Sequence, residues 1–202
     1  MQASLFPNQT ENLLPFRGET YFFPEFFSKV KADHFFAQLK AGLEWRQEPI
    51  WMFGKKVMQP RLTALYGDRG KPYGYSGIQM IPSEWTPELR KILDSIQDFT
   101  QAEFTHVLCN YYRDGNDSMG WHRDNEKVLG ENPTIASVTF GAERVFQTRP
   151  YTEKKPKIDI QLTHGSLLVM RGASQHYWEH QLPKTKRVNQ SRINLTFRKL
   201  ML

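Results

Sequence analysis

The chain has 202 residues, 39% of them hydrophobic, which suits one packed domain, and a formal net charge of +6 that favours an anionic partner such as nucleic acid. Cys109 is the only cysteine, so an intrachain disulfide scaffold is excluded. No run approaches the roughly 18 apolar residues of a membrane span, and the opening MQASLFPNQTENLL lacks the basic start and apolar stretch of a secretory signal. These features lead us to expect a soluble intracellular monomer, in a bacterial cytoplasm or a eukaryotic nucleus.

Residues 1–20 read as an irregular arm ahead of a single domain, 21–202. From Pro24 to Leu43, the residues Phe26, Phe27, Val30, Phe35, Phe36 and Leu39 recur at helical spacing, and Pro24 suits a first turn. A second helix starts after Thr86, a suitable N-cap, with Pro87 in its first turn. Leu89, Ile92, Leu93 and Ile96 form its apolar face. Beyond residue 104 the pattern changes to short strands, at 105–112, 135–140, 144–149, 157–162, 165–170, 176–182 and 192–200. Turn-like RDGNDS and LGENPT separate the first of them. Two helices followed by many short strands indicate an α+β chain with a mainly β core, an antiparallel sandwich or jelly roll braced by the helices.

The chemistry concentrates in MGWHRDNE and YWEHQLP. Residues two apart on a strand point to one side, so His122 and Asp124 can aim at one ion, with His180 arriving from a distant strand. Two imidazoles and a carboxylate can occupy one face of iron(II) and leave three positions for a cosubstrate and dioxygen. The other histidines compete. His34 on the first helix, and His106 and His164 beside strands, read as structural residues. His176 is the serious rival, because HYWEH at 176–180 matches the His-x-x-Glu-His pattern of inverted zinc peptidases. That pattern requires both histidines on one helix, whereas this segment reads as strand and loop.

In RINLTFR, Ile193, Leu195 and Phe197 alternate with Arg192, Asn194, Thr196 and Arg198. The polar face carries two guanidinium groups suited to bidentate binding of a carboxylate. Six residues at about 3.3 Å each separate the two arginine backbones by roughly 20 Å. Either both side chains converge on one small diacid, or one of them buttresses the metal carboxylate.

The segments NYYRDGNDSMGWHRDNE, ASVTFGAER, THGSLLVM, HYWEHQLP and RINLTFRKL together resemble the AlkB family of iron(II)- and 2-oxoglutarate-dependent dioxygenases. The resemblance runs from about residue 50 to the end, with the metal and arginine motifs in family order. It implies a double-stranded β-helix core and an iron held by His122, Asp124 and His180. It also implies 2-oxoglutarate contacts from Asn110, Tyr112, Arg192, Thr196 and Arg198, with Asn194 nearby. The family reaction consumes dioxygen and 2-oxoglutarate, hydroxylates an N-alkyl carbon on a nucleobase, and releases formaldehyde, succinate and carbon dioxide. Expected substrates are cationic lesions such as 1-methyladenine and 3-methylcytosine.

By the same resemblance, nucleotide-recognition hairpins lie at about 50–80. Tyr75 stacks on a flipped base opposite His122, with Tyr73 and Ser76 at the entrance. Glu126 accepts a hydrogen bond from the base's exocyclic amine, and Asn125 stands where relatives often carry a second Asp. In WMFGKK, Phe53 matches an apolar wedge that fills the gap left by the base, flanked by Met52 and Gly54. Lys55, Lys56 and Arg61 are positioned to hold phosphates. Alkylated DNA is the expected partner, duplex before single strand. An RNA demethylase, another 2-oxoglutarate oxygenase on the same fold, and a non-catalytic nucleic-acid-binding module are the alternatives.

Overall fold

The computed structural model describes residues 11–52, 55–69, 73–75 and 78–201, with backbone alone at 51–52, 73–75 and 78–80. In chain order the elements are β1 (Glu19–Phe23), α1 (Lys29–Gly42), β2 (Pro49–Met52), β3 (Lys55–Met58), β4 (Leu62–Gly67), β5 (Tyr73–Tyr75), β6 (Ile78–Met80) and α2 (Pro87–Thr100). There follow β7 (His106–Tyr112), β8 (Met119–His122), β9 (Ile135–Gly141), β10 (Arg144–Pro150), β11 (Ile158–Leu162), β12 (Ser166–Arg171), α3 (Ser174–Tyr177), β13 (Trp178–Leu182) and β14 (Arg192–Arg198). A six-stranded sheet in the order β1-β12-β9-β14-β7-β4 faces a four-stranded sheet in the order β11-β10-β13-β8. Neighbours in both are antiparallel. Two hairpins, β2-β3 and β5-β6, occupy the 50–80 region.

Strand alternation assigns the two faces of the large sheet. Val107 and Cys109 of β7, Val138 and Phe140 of β9 and Ile193, Leu195 and Phe197 of β14 pack under α1 and α2. Cys109 is buried there, and burial raises its thiol pKa, so it packs rather than reacts. The opposite face looks between the sheets. Its far end is apolar, built from Ile135, Leu168 and Met170 against Phe146, Ile160 and Leu162. Its near end carries the polar residues of β14.

The second helix forms as expected. Thr86 accepts a hydrogen bond from the Leu89 N–H at 3.3 Å, and Leu89, Ile92, Leu93 and Ile96 are buried. The first does not begin at Pro24. The chain from Glu19 to Phe23 pairs with β12, and Pro24 O and Phe27 N–H then bond Thr163 Oγ1 and Gly165 O, so the helix starts only at Lys29. Phe27 is buried from a loop, its N–H bonded to Gly165 O, and Val30 is 79% exposed instead of facing the core. His34 is exposed rather than packed. The arm is also more regular than its composition suggests. The Asn12 side chain bonds Gly18 O, Leu14 N and Thr20 N, and residues 19–20 already belong to β1.

Candidate metal and cosubstrate site

Antiparallel pairing brings together residues that are far apart in the chain. In the register of β13 with β8, His180 lies opposite His122, and their ring centroids are 4.3 Å apart. Asp124 lies two residues beyond the end of β8. Its backbone N–H donates to Gln175 Oε1 at 3.0 Å, which fixes the turn that aims the carboxylate back at the histidines. Ligand atoms of the three residues all lie within 4.8 Å of one another. His122 Nδ1 is 2.8 Å from Gly120 O, a contact that assigns the proton to Nδ1 and leaves Nε2 for an ion. Phe146 stacks on His180 at 5.1 Å and restricts its ring.

The electrostatics suit a cation. Burial lowers the His122 pKa against the pull of Asp124. Burial together with His122 takes His180 down to about 3, so both imidazoles are neutral ligands at pH 7. Burial alone would raise Asp124, but Arg198 and the two imidazoles outweigh it and hold the carboxyl at about 2. Arg198 Nη2 donates to Asp124 Oδ2 at 2.8 Å. Asp124 Oδ1 is buried and, among the described residues, accepts no hydrogen bond. A buried carboxylate oxygen without a donor beside two neutral imidazoles fits a divalent metal.

The polar stripe of β14 lies in the same cavity. Asn110, Tyr112, Arg192, Asn194, Thr196 and Arg198 all line it with the three metal-type ligands. Register explains this, because Arg192 pairs with Tyr112 and Asn194 with Asn110. Arg192 is 2% exposed, and its Nη2 donates to Thr139 Oγ1 at 2.8 Å and Asn194 Oδ1 at 2.7 Å. Burial lowers its pKa to about 10, so it stays charged. Among the described residues no carboxylate pairs with it. The two arginines therefore differ: Arg198 braces the Asp124 carboxylate, whereas Arg192 can take a carboxylate from a ligand.

Some expectations need correcting. Arg61 is no surface phosphate contact. It is 4% exposed and its Nε donates to Asn110 Oδ1 at 2.7 Å, inside the site wall. The zinc-peptidase alternative fails on geometry. The short helix α3 ends at Tyr177 and His180 lies on β13, so His176 and His180 do not share a helix, and Glu179 is held by Arg149 and Lys154. That turn also shortens the strand expected over 176–182.

His106 is buried with its ring 2.9 Å from Thr105 Oγ1, and His164 bridges Gly141 N and Asp33. Lys55 and Lys56 are exposed on β3, Asn125 is exposed, and Glu126 is half-buried. Phe53, Gly54 and Ser76 lie outside the described residues, as do the side chains of Met52, Tyr73 and Tyr75.

Sequence reasoning missed β8, Gln175, Arg144 and the hydroxyls of Ser137 and Thr139. Ser137 Oγ donates to Asn194 Oδ1 at 3.1 Å. Arg144 ties three backbone carbonyls, Asp114 O, Asp117 O and Pro183 O, behind Tyr112. The period-two polar positions in ASVTFG were the available signal for the two hydroxyls.

A jelly roll with a largely buried His–Asp–His cluster beside an arginine that has no carboxylate partner among the described residues is the architecture of a metal- and carboxylate-dependent oxygenase. The 2OG-Fe(II) oxygenase superfamily matches residues 19–198. DNA oxidative demethylase ALKBH2 of Mus musculus is 40% identical over 185 residues, covering 87% of this chain and 77% of that protein. Alpha-ketoglutarate-dependent dioxygenase alkB homolog 3 of Mus musculus is 41% identical over 189 residues, covering 87% of this chain and 64% of that protein. The solved structure of OsALKBH1 shares the fold at 17% identity, with a TM-score of 0.65 over 92% of this chain and 100% of that one. A Trichoplax adhaerens prolyl hydroxylase, solved with a peptide fragment, does so at 10% identity, with a TM-score of 0.62 over 90% and 83%. The chain belongs to the AlkB family within the 2OG-Fe(II) oxygenase superfamily, and its cofactor and cosubstrates are iron(II), 2-oxoglutarate and dioxygen.

Proposed function

We propose that this chain removes alkyl groups oxidatively from base nitrogens in DNA, duplex in preference to single strand. Its substrates on this reading include 1-methyladenine and 3-methylcytosine. It works as a monomer inside the cell, where the substrate lies. The observation that carries the oxygenase chemistry is one cavity in which, among the described residues, Asp124 Oδ1 has no donor and Arg192 no carboxylate. The DNA assignment draws on 40% identity to a protein named DNA oxidative demethylase and on the net charge of +6.

In this reading His122, Asp124 and His180 hold the iron. Bound iron(II), with 2-oxoglutarate and dioxygen, supplies the oxidising power to hydroxylate an alkyl carbon. Arg192 binds a cosubstrate carboxylate, with Tyr112 and Asn194 beside it. Arg198 keeps Asp124 ionised and oriented. Asn110, itself positioned by Arg61, and Thr196 complete the cosubstrate wall. Tyr73, Tyr75, Ser76, Asn125 and Glu126 are assigned to the base. Met52, Phe53, Gly54 and Lys55 are assigned to the wedge and the adjoining backbone.

The test incubates the protein with Fe(II), 2-oxoglutarate and matched 3-methylcytosine duplex and single strand, with His122→Ala as control. Formaldehyde and restored cytosine in equal amounts are expected from wild type alone, faster on duplex. Absence of both products would remove the base-repair reading. Equal rates on duplex and single strand would remove the wedge role of Phe53, and Phe53→Ala is expected to abolish the duplex preference.

A further inference from the structure

We infer that a cation–aromatic surface on the outer side of the four-stranded sheet binds DNA backbone phosphates through a residue of the N-terminal arm, Arg17. Trp121 and Arg123 flank His122 in sequence, so strand alternation turns them away from the metal cavity and onto the outer face. There the rings of Tyr151 and Tyr177 are 45% and 44% exposed, and the Tyr151 N–H bonds Tyr177 O at 2.7 Å. Each ring carries cations. Arg123 lies 3.7 Å and Lys154 4.6 Å from the Tyr151 ring centre, and Arg17 lies 4.8 Å from that of Tyr177.

Held against rings, these groups lose freedom before any ligand arrives, which lowers the entropy cost of contacting an anion. Arg123 is pinned further by a 3.0 Å bond to His176 O. Among the described residues, the carboxylate engaged by this cluster is Glu179, 5% exposed, which holds Arg149 and Lys154 from beneath. The surface therefore presents an excess of positive charge, complementary to a phosphodiester chain.

A second observation concerns the arm itself. Phe16 O accepts from Trp178 Nε1 at 3.0 Å, and the two rings lie 5.2 Å apart. The next residue, Arg17, adopts a φ of 49°, a left-handed conformation rarely used by a residue other than glycine. That unusual backbone is what turns Arg17 onto Tyr177. Strain of this kind persists only where the surrounding contacts enforce it.

The inference rests on DNA as the substrate, and the experiment separates the two. Anisotropy of a labelled, unmodified duplex is measured against the full chain over a salt series, alongside repair of a 3-methylcytosine duplex. Arg17→Gln with Lys154→Gln is expected to weaken binding several-fold at low salt and to reduce the slope of log K against log salt by about two. Tyr151→Phe should bind as wild type, and Tyr151→Ala should lose affinity because the ring no longer orders its two cations. Unchanged affinity and slope in the double variant would overturn the surface, even if repair proceeds. Weakened binding by the variants with no repair by wild type would keep the surface and remove the repair chemistry.

Discussion

Replacing Arg192 with Gln is expected to cut 2-oxoglutarate affinity sharply while leaving the fold nearly as stable as before. The side chain is 2% exposed, donates to Thr139 and Asn194, and has no carboxylate partner among the described residues. Burying a charge costs several kcal/mol even after relaxation. Two hydrogen bonds from a charged donor return about 1.5–3 kcal/mol each. These contributions offset to within a few kcal/mol, so removing both together changes folding little. Binding differs, because a bound carboxylate would lose the partner of a buried, hydrogen-bonded charge pair, a loss of about 2–5 kcal/mol. At about 1.4 kcal/mol per tenfold, affinity falls by roughly 30-fold to more than 1,000-fold. Calorimetric titration of 2-oxoglutarate into the Mn(II)-loaded protein reads the first effect, and urea unfolding of the metal-free protein reads the second. A variant that unfolds far more easily yet binds 2-oxoglutarate normally would make Arg192 a structural strut and refute the reasoning.

Asp124→Ala should lose metal binding and destabilise the metal-free protein by about 3–5 kcal/mol, since it breaks the buried Arg198–Asp124 ion pair; titration with Mn(II) and urea melts check both. Acid should destabilise the metal-free fold from about pH 6.5 downward. The unfolded His180 takes a proton near 6.5 and the folded one only near 3, so its contribution is complete above 6.5 and is lost as pH falls toward 3. Urea melts of His180→Asn should be flatter over that window. Gly115→Ala should cost about 1–3 kcal/mol, because its Cβ would clash with Thr185 O and Val188 O and force apart the loops joined by Gly115 N to Val188 O and Thr185 N to Gly115 O; thermal melting measures it.

The α2 helix was legible because its signals are local: a Thr cap, a first-turn Pro and an apolar stripe at 3.6-residue spacing. The start of α1 was not, because a non-local pairing decided it. Glu19–Phe23 gains a full antiparallel ladder with β12, and the bonds of Pro24 O and Phe27 N–H to Thr163 and Gly165 hold the next residues beside it, against the helical spacing of Phe26, Phe27 and Val30. Arg61 shows the same limit at the site. An arginine five residues after Lys55 and Lys56 reads as one more surface cation, and only the packing of β4 against β7 reveals that it reaches Asn110.

Taken alone, the amino-acid order determined the alternation of β14, with its four polar residues on one face, and the His-x-Asp pair, because a strand's period of two is a property of the backbone. It also carried the resemblance that joins these motifs in one family. Residue pattern alone left His176 as a rival ligand, which only the resemblance set aside, and it gave Arg192 and Arg198 no separate duties. The tertiary structure decided both. The β13-β8 register places His180 opposite His122 and leaves His176 on a short helical turn, and the bend after β8 brings Asp124 within 2.8 Å of Arg198 while Arg192 stays buried with no carboxylate among the described residues. Those distinctions depend on residues more than 50 positions apart, and only the paired sheets bring them within a few ångströms.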